Sequence, residues 1–358
     1  MKPLDIAHQR LFNQRIGATP FERPEEVVRW LVAVQAQDYY GAQWALGLRL
    51  RAATDDLIDQ AFAKGAILRT HLLRPTWHFV TPDDIRWLLE LTAPRVHAAN
   101  AYMYRQVKLD RATFKRSNDA LAGALQGGQY LTRDELRAVL KEAGIIADVG
   151  LRMSYLLMRA ELDGVICSGP RRGKQFTYAL LDERSPHGRT LERDEALAEL
   201  ALRYFRSRGP ATVQDFAKWS GLTVADGSAG LEAVKAQLRH EQVGGQTHWS
   251  SISEPITKDG SPIAYLLSVY DEYISGYKDR SAMIDEKHAA RLWALGNALT
   301  YIVVVDGQVV GTWKRTLRRD RVLIETNIFT QLAKDAQRAV VAAAHRYGEF
   351  LGLPVELA

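Results

Sequence analysis

The sequence predicts a mostly helical α+β chain of three tandem winged-helix modules followed by a small β-barrel-like α+β domain. Three observations carry this reading. A helix, helix, helix, hairpin order occurs twice in the middle of the chain, a more divergent copy precedes both, and the last stretch changes to strong hairpin signals. The expected modules are residues 1–108, 109–187 and 188–252, with the closing domain at 253–358.

In the first module, Leu4 to Ile16 reads as a helix and Pro24 to Val34 as the next. Pro24 sets the first turn, Glu25 and Glu26 face the positive end of the helix dipole, and Val27, Val28, Leu31 and Val34 recur at helical spacing. Ala42 to Leu50 and Asp55 to Lys64 supply two more helices. Ile67 to Leu73 and Thr76 to Val80 then form a hairpin around Arg74-Pro75, and because proline does not suit the tight primed turns, the loop is expected to exceed two residues. Thr81-Pro82-Asp83-Asp84 starts a helix over Ile85 to Leu91, which Pro94 should end or kink.

The second module places helices at Phe114 to Leu125, from Leu131-Thr132-Arg133-Asp134-Glu135-Leu136 through Glu142, and at Leu151 to Leu162. Strands Val165 to Ser168 and Gln175 to Leu180 flank a Gly169 to Lys174 loop. In the third, Ala196 to Ser207, a helix ending at Trp219, one near Ser228 to Arg239, and a hairpin around Gly244-Gly245 repeat the order. The closing domain has a strong hairpin, Tyr301 to Val305 and Val309 to Trp313, turned by Asp306-Gly307 in a type I′ pair. Val322 to Thr326 adds a strand and Gln331 to Leu351 a final helix.

Composition narrows the class. The chain has 358 residues, 47% hydrophobic and 25% charged, which is ample for several compact modules of an ordinary globular protein. No stretch approaches a membrane span, and Met1-Lys2-Pro3-Leu4-Asp5 lacks a signal-peptide core, so a cytoplasmic protein is expected. The single Cys167 rules out an internal disulfide and cysteine-based metal binding. There is no Walker loop, no Gly-x-Gly-x-x-Gly, no His-Glu-x-x-His and no Gly-x-Ser-x-Gly, and no cofactor is expected. His71 and His78 can sit opposite each other on the first hairpin, but no third ligand is near, so no metal is expected and His78 reads as an imidazole at the edge of a packed strand. Asp271 and Glu272, in Tyr270-Asp271-Glu272-Tyr273, follow a strand and are candidates either for a buried ion-pair network or for a cleft lining.

Two cationic clusters suggest nucleic acid. In the second module Arg152, Tyr155 and Arg159 share one outer stripe of the third helix, and the loop adds Arg171, Arg172 and Lys174. In the last domain Lys314, Arg315, Arg318, Arg319 and Arg321 fall between two strands. Either cluster alone fits a solvated hairpin tip; both together on winged-helix scaffolding favour a nucleic-acid surface.

The local inconsistency that bears most on function is Gln35-Ala36-Gln37, followed by Asp38. Continuing the apolar helix face by four residues from Leu31 lands on Gln35, where a core residue is expected. On spacing alone the simpler arrangement is favoured, with Gln35 capping buried backbone groups and Gln37 solvated. The two side chains can serve one site only if the helix breaks near Gln35 and the backbone becomes extended, with Gly41 as the expected breaker.

Gln35-Ala36-Gln37, Leu72-Leu73-Arg74-Pro75-Thr76-Trp77-His78, Tyr270-Asp271-Glu272-Tyr273 with Lys278-Asp279-Arg280, and Gly311-Thr312-Trp313-Lys314-Arg315 together resemble the AlkZ-like DNA glycosylase family. The resemblance covers nearly the whole chain. It implies three winged-helix modules and a barrel-like domain, excision of N7-alkylated purines from double-stranded DNA, and in some members unhooking of interstrand crosslinks; a monomer is the default expectation. It also implies that Gln35 and Gln37 lie in the catalytic cleft, as in the Gln-x-Gln branch. Such a lesion carries positive charge, so its base departs neutral and a carboxamide that positions water suffices; Asp38 is the candidate if a stronger base is needed. The competing expectation is a non-enzymatic winged-helix DNA-binding protein or transcription regulator.

Overall fold

The computed structural model describes residues 3–17, 20–251, 260–294 and 300–358. They form a mixed α+β chain, close to half helical, packed into two units. One unit combines Met1–Ile58, Ala198–Trp219 and Val224–Ala358; the other holds Asp59–Leu197 with Ser220–Thr223. This grouping by packing cuts the chain differently from the four modules expected along the sequence. The expected boundary between residues 252 and 253 lies outside the described residues.

The first unit opens with α1 (Pro3–Asn13) and α2 (Pro24–Leu31). The carboxylate of Glu26 accepts from the backbone N–H of Glu22 and of Arg23, both at 3.1 Å, which seals the start of α2. The helix stops at Leu31 rather than at Val34, because Val32 takes φ 68° and ψ −55°, a conformation a β-branched residue rarely holds. An extended stretch β1 (Ala33–Gln35) follows, then α3 (Tyr39–Gly47) and α4 (Asp55–Lys64), which leads into the second unit. Gly41 therefore does not break α2; it sits in the first turn of α3.

In the second unit β2 (Leu68–Leu72) and β3 (Thr76–Val80) pair antiparallel with Leu72 opposite Thr76, so the loop has three residues, with Leu73 at φ 59°. The expected longer loop is what forms. α5 (Ile85–Gln106) continues past Pro94, so the proline does not end it. The missing N–H costs one backbone bond there, while Leu88, Leu91, Val96 and Tyr104 keep the helix buried on both sides of it. α6 (Arg111–Leu125), β4 (Leu131–Thr132), α7 (Arg133–Glu142), α8 (Arg152–Leu162), β5 (Ile166–Ser168) and β6 (Thr177–Leu180) reproduce the expected order, and the strands form a sheet in the order β4-β6-β5. Leu121, Leu136, Leu140, Leu156 and Ile166 centre its core. After α9 (Leu181–Arg184), α10 (Arg193–Arg208) carries the chain back to the first unit.

There α11 (Val213–Ser220), α12 (Val224–Val234), a single 3-10 turn and the β7 (Leu238–Val243) and β8 (Gln246–Ser251) hairpin follow. Gly244 and Gly245 both take positive φ at its tip. Arg239, expected at a helix end, belongs to β7, paired with Ser250. The last elements are β9 (Ala264–Leu267), α13 (Glu272–Ser275), α14 (Glu286–Ala294), β10 (Ile302–Val305), β11 (Gln308–Leu317), β12 (Val322–Ile328), α15 (Lys334–Leu351) and β13 (Val355–Leu357). Asp306 and Gly307 both take positive φ, as a type I′ turn requires. The strands form one sheet in the order β13-β12-β11-β10-β9, and among the described residues its edges do not pair with each other. The expected barrel is thus an open sheet, with α15 packed on it through Tyr347 against Trp313.

Candidate functional site

The chain leaves α2 in extended form as far as Gln35 and bends at Gln37, and the backbone of the extended part is held by side chains distant in sequence. The Arg208 guanidinium, at the end of α10, donates to the carbonyls of Leu31 at 2.8 Å and Ala33 at 3.0 Å. It also donates to one oxygen of Glu272, from Nη2 at 2.6 Å and Nε at 3.1 Å. The Trp219 indole N–H reaches that same oxygen at 2.9 Å, and the other oxygen accepts the backbone N–H of Gln35 at 2.9 Å. Arg208 and Glu272 are both fully buried, so the pair is compensated by hydrogen bonds on every side. Burial of Gln35 thus comes from an extended strand and not from a helix face. Gln37, two residues on, is exposed.

The neighbouring acid is bound as well. Asp271 forms a two-pronged pair with Arg49, at 3.0 and 3.1 Å, both side chains fully buried, and its carboxylate caps α13 through the Tyr273 N–H at 2.8 Å. Arg49 also donates to the Gln14 and Ala45 carbonyls. Of the two expectations for Tyr270-Asp271-Glu272-Tyr273, the buried ion-pair network is the one the fold builds. Asp271 and Glu272 are both buried, their oxygens committed to Arg49, Arg208, Trp219 and backbone N–H groups.

Asp38 caps α3, accepting the Gly41 N–H at 2.6 Å, and its other oxygen accepts from the Tyr301 hydroxyl at 3.4 Å. A Cβ at Gly41 would stand 3.1 Å from the Asp38 Oδ1 and 3.3 Å from the Ser268 Cβ, so the turn is built around a glycine. Tyr39 is buried and Tyr40 is exposed, their rings edge to face at 5.7 Å.

His71 and His78 do not face each other. The register puts His71 opposite Trp77 and His78 opposite Thr70, so alternation sends the two imidazoles to opposite faces of the hairpin. The His71 ring meets Glu161 through Nδ1 and packs tilted against Trp77, with centroids 4.2 Å apart; His78 Nδ1 lies 2.9 Å from the Thr76 carbonyl in full burial. Among the described residues no group of three or more His, Cys, Asp or Glu side chains is arranged to hold a metal.

The expected cations divide into struts and exposed charges. Arg152 ties the Ile146, Val107 and Lys108 carbonyls together, Arg159 pairs with Asp163 at 2.8 Å, and Tyr155 packs against Tyr104 in the core of the second unit. The stripe on α8 is therefore largely spent on internal contacts. Arg171 approaches Asp59 at 3.6 Å and Arg172 pairs with Glu135 at 2.7 Å, whereas Lys174 is exposed. On β11, Lys314 pairs with Glu325 at 2.9 Å, while Arg318 and Arg319 are exposed at the hairpin tip. Arg315 is half-buried, its guanidinium over the rings of Tyr347 at 5.4 Å and Tyr301 at 5.8 Å.

Arg208, Arg49, Trp219 and Tyr301 escaped the sequence reading. Arg49 had a signal, a lone cation in the apolar run Ala45-Leu46-Gly47-Leu48-Arg49-Leu50, which demands a buried acid. Arg208 at the end of a charged helix had none.

Comparison with known proteins matches residues 28–350 to the family described as DNA glycosylase AlkZ-like. An interstrand DNA cross-link repair glycosylase from Streptomyces sahachiroi is 28% identical over 327 residues, which cover 84% of this chain and 85% of that protein. The solved structure of Streptomyces sahachiroi DNA glycosylase AlkZ has the same fold, with a TM-score of 0.79 at 23% identity over 100% of both chains. With a family match that spans most of its length, this chain belongs to the AlkZ-like family of DNA glycosylases.

Proposed function

We propose that this chain removes N7-alkylated purines from double-stranded DNA by hydrolysing the N-glycosidic bond, with Gln35 and Gln37 as catalytic residues. The observation that carries the reading is the break after α2, where Glu272 and Arg208 fix the backbone that leads through Gln35 to Gln37. Alkylation at N7 makes the base a good neutral leaving group, so little proton transfer is required. The Gln37 carboxamide oxygen accepts from a water beneath the anomeric carbon, and Gln35 orients the same water or its neighbour. Asp38, engaged by Gly41 and Tyr301, serves as a positioning residue and not as a base.

The reading includes DNA crosslinks formed through purine N7, a class suggested by the name of the Streptomyces sahachiroi relative. The helix, helix, helix, hairpin segments act as three winged-helix modules, at 1–108, 109–187 and 188–252, and present DNA to the site as a monomer acting on chromosomal DNA in the cytoplasm. Lys174, Arg318 and Arg319 contribute the exposed cations for backbone phosphates, with Lys314 at the hairpin base. His78 stays a packing residue.

The test is single-turnover release of N7-methylguanine from a duplex oligonucleotide. Gln35→Ala and Gln37→Ala are expected to slow release by about a hundredfold or more, in the range seen when a group that stabilises a transition state is removed. Release at the native rate by both variants excludes the assignment.

A further inference from the structure

Five cations crowd the segment from Lys314 to Arg321, yet one of them points elsewhere. Side chains on a strand alternate between faces, so Arg315 shares the face of Trp313, which is buried, and opposes that of Lys314, which is exposed. Trp313 fixes that inward face by donating its indole N–H to the Leu267 carbonyl at 2.8 Å and by meeting Tyr301 edge to face at 5.2 Å. Arg315 continues it and lies over the rings of Tyr301 and Tyr347.

Tyr301 in turn donates its hydroxyl to Asp38. Burial and the Asp38 charge both push the Tyr301 phenol above its ordinary range, with Arg315 opposing, so at neutral pH the hydroxyl is protonated and can act only as the donor in this contact. Asp38 directly follows Gln37 and starts α3 by holding the Gly41 N–H. Contacts therefore run from β11, through the residue before β10, to the turn that carries Gln37.

We infer that Tyr301 and Arg315 are positioning residues for glycosidic-bond hydrolysis: Arg315 packs Tyr301 in place, Tyr301 holds Asp38, and Asp38 fixes the turn from which Gln37 reaches its water. The inference rests on the proposed catalytic role of Gln37. It separates Arg315 from the exposed cations of the same hairpin, whose role is affinity for phosphate.

The experiment uses the full chain and a duplex oligonucleotide with one N7-methylguanine. Single-turnover release at saturating enzyme, DNA affinity and thermal unfolding are measured for Tyr301→Phe, Arg315→Ala, Arg315→Lys, their double Tyr301→Phe/Arg315→Ala, and Gln37→Ala. Tyr301→Phe keeps the ring and removes one hydroxyl, so its affinity and melting temperature should match the native chain while release slows by about tenfold, as a small misplacement of a catalytic group predicts. Arg315→Ala should slow release similarly, Arg315→Lys should recover part of the loss, and the double variant should be no slower than the slower single, because both act on one target. If Gln37→Ala releases base at the native rate, the catalytic reading and this inference fall together. If Gln37→Ala is impaired but Tyr301→Phe is not, or if the loss in Tyr301→Phe lies wholly in affinity or melting temperature, only the inference is overturned.

Discussion

Glu272 is the residue on which the candidate site turns. Its two oxygens collect Arg208, the Trp219 indole and the Gln35 N–H, with no exposure to solvent. Glu272→Gln preserves the shape but leaves the Arg208 guanidinium buried without a counter-charge, and breaking one side of a buried pair costs about 3–5 kcal/mol. Urea denaturation followed by tryptophan fluorescence should show that loss. Base release should fall even under conditions where the variant is folded, since the Gln35 N–H then faces either an amide N–H or a carbonyl in competition with Arg208. At this scale the sequence was informative on one side only. Gln35 was visible as a polar residue where an apolar one was due, and Asp271 and Glu272 as acids after a strand, but their partners lie far along the chain: Arg208 stands 64 residues from Glu272, and Arg49 stands 222 from Asp271.

At the scale of elements, local chemistry decided what could be read. Asp306-Gly307 and Gly244-Gly245 announced their hairpins because few other pairs tolerate two positive φ angles. Thr132 and Glu135 announced α7 by a reciprocal cap, with the Glu135 carboxylate accepting from the Thr132 N–H at 2.7 Å. The stop of α2 was not legible, because the apolar period continues through Val34 and the break is held by carbonyl contacts from Arg208. The same holds for α5, whose tertiary burial overrides Pro94. The Glu135 cap gives a pH prediction. Its backbone bond to Thr132, then the Arg172 pair, lowers the Glu135 carboxyl from 4.5 to about 2. A depressed value in the folded state means that the stabilisation is complete above pH 4.5 and disappears as pH falls toward 2. The protection of amides in the first turn of α7, measured against their intrinsic exchange rates, should therefore fall over that window, and Glu135→Gln should remove the acid-dependent part while lowering protection at neutral pH.

On the scale of the whole molecule, the two packed units impose a rule on fragments. Asp59–Leu197 is nearly continuous, so a polypeptide of those residues should fold and show a cooperative thermal transition. The carboxy-terminal part of the other unit should not fold alone. Without Met1–Ile58 it loses Arg49 from Asp271, Gln14 from Tyr277 and the Trp44 ring from Tyr347 and Phe350. Residues 198–358 expressed separately should remain protease-sensitive, and adding 1–58 in trans should restore protection. A protease-resistant 198–358 fragment would show that the amino-terminal strand and helices are dispensable for that unit. The sheet of the closing domain belongs to this same scale: its described strands form one open sheet, and closure depends on which strands meet, which no local signal records.

The clamp on the segment after α2 also bears on how the site can change. With the Leu31 and Ala33 carbonyls and the Gln35 N–H already occupied, the main chain there has little left to offer a substrate. On the proposed reading, whatever selectivity residues 35 and 37 confer is then carried by their side chains, on a main chain held by Arg208 and Glu272. On the proposed role of Gln37, this exposed position is the one to alter: a shorter acid or amide there is expected to change which lesions are processed while the Arg208–Glu272 clamp stays as it is.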